Sequence, residues 1–152
     1  MSTTITINLV RAFPTEVERQ AAADALALGG FLPVPAGSVV TTAHVRDGAT
    51  FVHADPERDW GETLDALEAV EVAYRVVCLA EEDDGLDRVV AYLPYLGRAE
   101  SDCDPEGRPR VSPDALDALA AALRQGADPH DVAQRIDRLT LRPWIDETPV
   151  IP

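Results

Sequence analysis

The chain opens with strict alternation: Ile5, Ile7 and Leu9 stand against Thr4, Thr6 and Asn8. That two-residue period predicts a strand with one buried face. Thr15 and Glu18 then have the spacing of a capping box. Val17, Ala21, Ala25 and Leu28 follow at helical spacing up to Gly29-Gly30, which predicts a helix of about four turns. Residues 31–37 are proline-rich and read as a connector. Two β-rich runs, 39–45 and 50–54, flank Asp47-Gly48, a favoured two-residue hairpin turn. Asp59 is placed to cap a second helix, with Glu62 at its third position and Trp60, Leu64 and Leu67 facing inward. Strands are expected over 72–79 and 88–96, separated by an acidic loop over 81–85.

The remainder changes character. Residues 98–111 are polar and rich in Pro and Gly, as in a loop. Ser112-Pro113 opens a third helix with Leu116, Leu119, Ala120 and Leu123 in register, closed at Gly126, and Asp128-Pro129 opens a fourth with Val132, Ile136 and Leu139 aligned. A tail over 141–152 carries three prolines and is expected to be extended. The order β-α-β-β-α-β-β-α-α indicates an α+β protein: a mainly antiparallel sheet of about five strands, two packed helices and a C-terminal helical hairpin. Its first six elements are compatible with a split β-α-β, ferredoxin-like sheet. One domain spans 1–152, with a sheet-and-helix body over 1–97, a loop over 98–111, the hairpin over 112–140 and the tail. The core expected from these patterns comprises Ile5, Ile7, Leu9, Leu28, Val45, Val52, Leu64, Leu67, Val76, Cys78, Leu116, Leu119 and Ile136.

Charge narrows the function classes. Twenty-seven acidic residues against thirteen basic ones give a formal charge of −14. All thirteen basic residues are arginines, a lysine-free pattern that reads as a codon effect of a GC-rich bacterial genome; adaptation to high salt would also produce it. The arginines are scattered, usually beside a carboxylate, as in Glu18-Arg19, Arg46-Asp47 and Asp137-Arg138. Such a chain repels phosphate backbones and anionic membranes, so direct nucleic-acid binding is not expected. Two cysteines make no disulfide framework, the N-terminus lacks a signal-peptide pattern, and no apolar run approaches membrane-spanning length, so a cytoplasmic location is expected.

Few residues suggest chemistry. In the expected hairpin, His44 and His53 are diagonal neighbours on one polar face with Arg46, Phe51 and Asp55. Two imidazoles and a carboxylate could hold a divalent metal or supply a general base, although a solvated sheet face would carry the same residues. Asp102, Asp104 and Glu106, followed by Gly107, resemble the front half of a calcium loop. Arg108, Arg110 and Pro113 spoil the back half. The two C-terminal helices faintly resemble part of a helix-turn-helix, with no third helix and the wrong charge. No nucleophile elbow, phosphate loop or dinucleotide fingerprint is present, and no cofactor is expected.

The reading that follows is a non-catalytic, acidic protein-binding or regulatory protein. This class includes a phage- or plasmid-type inhibitor, an accessory factor and a subunit of a larger assembly. Its partner is expected to be a protein, in particular a basic one, contacted through Glu81, Glu82, Asp83 and Asp84, the stretch from Asp102 to Glu106, and Phe51 if it is exposed. Homo-oligomerisation stays open. The alternative is a small enzyme, metal-dependent or not, built on His44, His53, Arg46 and Asp55.

Overall fold

The computed structural model describes residues 4–10, 15–34, 39–53, 60–79 and 87–146. The alternating opening forms β1 (Thr4–Leu9), and Thr15 accepts a hydrogen bond from the Glu18 N–H to start α1 (Glu16–Leu28). Then come β2 (Phe31–Pro33), a single 3-10 turn (Thr42–His44), β3 (Thr50–His53), α2 (Gly61–Ala69), β4 (Tyr74–Leu79), β5 (Arg88–Leu93) and β6 (Gly97–Asp102). Three helices close the described chain: α3 (Pro113–Arg124), α4 (Pro129–Thr140) and α5 (Arg142–Asp146). The protein is α+β with a six-stranded, wholly antiparallel sheet in the order β2-β3-β1-β4-β5-β6. The first four strands follow the split β-α-β arrangement, and β5 and β6 extend it as a meander.

Both faces of this sheet are covered. On one, α1 and α2 lay Ala22, Ala23, Leu26, Leu64 and Leu67 over Ile5, Ile7, Leu9, Phe51, Tyr74 and Val76. On the other, Leu141 and Trp144 cover Val89, Ala91, Leu93 and Ala99. β5 serves both layers, which is why Val89, Val90 and Ala91 are apolar in succession rather than alternating. The loop after β6 returns to the sheet through Gly107, where a Cβ would stand 2.9 Å from a Val77 methyl. Its φ of +81° also suits glycine alone.

The expected hairpin does not form. Residues 39–45 are not a strand, although Val45 is buried. β3 instead pairs with β1 (Ile7 opposite Phe51) and with β2 (Phe31 opposite His53). Asp47-Gly48 is a turn, but it docks on β1, the Gly48 N–H donating to the Leu9 carbonyl at 2.7 Å. The stretch taken for a connector supplies β2, and Pro33 is tolerated because that strand lies at the sheet edge. β6 likewise falls within the expected 98–111 loop, and the tail expected to be extended begins with α5.

Three expected core residues, Leu28, Leu116 and Ile136, are exposed, and Val52 and Cys78 are half-buried. α1 is rich in alanine and carries apolar residues on opposite faces. The fold turns Ala22, Ala23 and Leu26 inward, leaving Val17 and Leu28 outside. Gly29, at the end of α1, packs so closely on Thr63 of α2 that a Cβ would lie 1.9 Å from the threonine hydroxyl, a contact that fixes this rotation.

Two leucines at helical spacing should therefore behave oppositely. Leu67→Ala, at a fully buried site, should cost about 2–5 kcal/mol, and Leu28→Ala should change stability by less than about 0.5 kcal/mol. Urea unfolding of the two variants checks this.

Candidate functional site

The C-terminal helical hairpin is the part of the molecule least committed to folding. α3 begins at Ser112, whose hydroxyl accepts the Ala115 N–H at 3.1 Å, with Pro113 in the first turn. Gly126, at φ +89°, reverses the chain. Asp128 then caps α4 by accepting the His130 N–H at 2.9 Å. α4 is rooted in the body: the Ser101 hydroxyl donates to the Leu139 carbonyl at 2.8 Å. Beyond it, Leu141 adopts a left-handed conformation (φ +53°) with its side chain fully buried. The Trp144 indole N–H donates to the Gly97 carbonyl at 2.9 Å, and the Arg138 guanidinium lies 5.9 Å from the Trp144 ring centre.

α3 has no such root. Leu119 is its one buried residue, so leucines at its other apolar positions stay in solvent: Leu116 is 54% exposed and Leu123 48%. On α4, Val132 is buried but Ile136 is 42% exposed. At about 100° per residue, Leu116 and Leu123 are rotated from Leu119 in the same sense as Ile136 is from Val132. Because the helices run antiparallel, that common rotation puts the three side chains on one face of the hairpin. Asp117 sits beside Leu116 and Asp137 beside Ile136; neither carboxylate forms an ion pair among the described residues.

Elsewhere the polar groups satisfy one another. Arg98 on β6 binds Glu68 through two nitrogens and Asp65 at 2.7 Å, tying α2 to the sheet. Beneath it, Tyr74 stacks on Tyr92 with ring centres 5.6 Å apart. Burial, then the Glu68 charge, hold the Tyr74 hydroxyl well above the usual phenol range. Arg88 is engaged by Glu100 at 2.5 Å in the groove between β6 and α3.

The residues marked for chemistry do not converge. Phe51 is fully buried under the first helical layer, because its row of the sheet runs through Ile7, and so it offers no contact surface. His44 lies on the 3-10 turn, where its Nδ1 accepts the Thr41 N–H at 2.9 Å. His53 lies on β3 with its ring edge-on to Phe31 at 4.8 Å. Without the hairpin, the His44/His53 diagonal is lost, and Arg46 does not join it. Asp55 and Glu81, Glu82, Asp83 and Asp84 lie outside the described residues. The calcium-like stretch closes on itself: the Asp104 carboxylate accepts the Glu106 and Arg108 N–H groups at 3.0 and 2.9 Å and the Arg108 Nε–H at 2.8 Å. Among the described residues, no group of three His, Cys, Asp or Glu side chains is placed to hold a metal ion. No helix among them is long and apolar enough to cross a membrane.

No family model, curated protein or solved structure matches the chain. The face carried by Leu116, Leu123 and Ile136 is therefore judged on its own geometry. Helical periodicity had assigned Leu116 and Ile136 to the core. The sign that they were not core is the meagre stripe of α4: Val132, Ile136 and Leu139 cannot cover three leucines of α3.

Two outcomes follow. Burial, then Asp87, Asp104 and Asp102, push the Cys103 thiol up to about 11, so native Cys103 should react with iodoacetamide at pH 8 far more slowly than in urea. Because the folded-state value is raised, its stabilising contribution is complete below the ordinary thiol value and is lost as pH rises through about 11. Arg98→Met should lower stability by about 1 kcal/mol, discounted for an arginine side chain 38% exposed, as measured by thermal unfolding.

Proposed function

We propose that this is a non-catalytic, acidic protein-binding module of regulatory type, acting in the cytoplasm, whose contact surface is the outer face of the α3–α4 hairpin. The observation that carries the reading is the exposure of Leu116, Leu123 and Ile136 on two helices that are otherwise well capped. Three large aliphatic side chains gathered on one rigid face are a common mark of a protein contact. A solvated helix needs none of them. The enzyme alternative has lost its arrangement of His44, His53 and Arg46, and no observation favours it.

Charge supplies the second half of the reading. With −14 over the chain, approach of a basic protein is accelerated and approach of nucleic acid opposed. An inhibitor or accessory factor that occupies a basic groove on its target fits this description, as does a subunit of a larger assembly.

The test is a photoreactive residue in place of Ala120, between the two exposed leucines, used to capture partners in lysate of the source cell. A discrete adduct should form and should vanish when Leu116→Ser and Ile136→Ser are added. The melting temperature should stay nearly unchanged, since these exposed sites contribute less than about 0.5 kcal/mol each. Higher ionic strength should slow association more than it speeds dissociation. If no adduct depends on Leu116 and Ile136, the hairpin is not the contact surface.

A further inference from the structure

Resting on that reading, we propose that the occupant of the hairpin face is an amphipathic helix of a partner, apolar along one stripe and basic along its flanks. It would lie in the groove between α3 and α4 as the third helix of a bundle. The backbone argues for a helix. The groove is walled by two helices whose backbone groups bond within themselves, so it offers no edge to which a strand could add. Leu116 and Leu123 are seven residues apart, about 10 Å along α3, which matches two turns of a partner stripe at i, i+3 or i+4, and i+7.

The flanks argue for basic chemistry. Asp117 borders the apolar face from α3 and Asp137 borders it from α4, both without an ion pair among the described residues. Asp137 also stands in the last turn of α4, where the helix dipole disfavours an anion, so a cation supplied from outside relieves it. Arg124, at the far end of α3, is the one arginine near the groove tip, and it leaves the Asp117–Asp137 end uniformly negative. A second copy of this chain is a poor occupant. A two-fold contact would set each carboxylate near its own mate and bring together two bodies of −14.

The probes are labelled 18-residue peptides of leucine and lysine in an amphipathic helical pattern, with leucine–glutamate counterparts, titrated by fluorescence anisotropy against the full chain. The leucine–lysine peptide should bind one to one and gain helicity. Leu116→Ser with Ile136→Ser should weaken it by about tenfold or more while leaving net charge untouched. Asp117→Asn with Asp137→Asn should weaken it several-fold and flatten its salt dependence. The leucine–glutamate peptide should not bind. Three results would overturn the proposal: binding indifferent to the serine changes, which would mean attraction by bulk charge alone; equal binding of both peptides; or self-association of the wild-type chain that the serine changes abolish. If the peptide fails while the Ala120-site adduct persists, the occupant is not a basic helix and the docking face stands. If both fail, the docking face falls as well.

Discussion

Burial of β5 from both sides is the constraint on which the architecture turns. Val89 and Ala91 point to one face of the sheet and Val90 to the other, and all three are buried. A sheet with helices on one side alone would leave Val89 and Ala91 wet, at a cost of about 25 cal/mol for each Å² of apolar surface. The second layer therefore has to come from residues after β6. It arrives through Leu141 and Trp144 rather than through the long helices that precede them. The latch is placed by the left-handed turn at Leu141, whose backbone cost is offset by complete burial of its side chain. This division of labour frees α3: because α5 closes the sheet, the hairpin need only be attached.

Much of this was legible in the residues, and what was not has physical reasons. Helix starts were readable because capping is local: Thr15, Ser112 and Asp128 accept the hydrogen bonds their positions imply. β1 and β4 were readable from their apolar patterns. β2 was hidden because three residues ending in proline carry no period, and their strand character comes entirely from β3 alongside. β6 was hidden because Ala99 is its only buried side chain and the rest are the polar residues suited to an edge. The rotation of α1 was undecidable from its own alanine-rich stretch and was settled by Gly29 against Thr63, a contact between distant segments. The imagined histidine pair failed for the same reason as the hairpin beneath it: pairing partners were chosen by proximity in sequence, whereas β3 found β1.

The arginines do two jobs in an otherwise negative molecule. Some act as internal fasteners, as Arg98 does between α2 and β6 and Arg108 within its own loop. Guanidinium suits this role, since its fork engages two acceptors at once and it keeps its charge at any relevant pH. Using the few cations in this way leaves carboxylates such as Asp117 and Asp137 without counter-charges. The negative field is therefore a by-product of how the fold is fastened as well as of how many acids it contains.

The single buried anchor of α3 has an evolutionary consequence. Leu119 holds the helix in place, so its neighbours on the outer face can change with almost no penalty in folding. Recognition and stability are thus carried by different residues of one helix, and selection can act on either separately. Such a surface can follow a changing target through many substitutions while the sheet beneath it stays the same. That is the circumstance of a protein locked in competition with the molecule it binds.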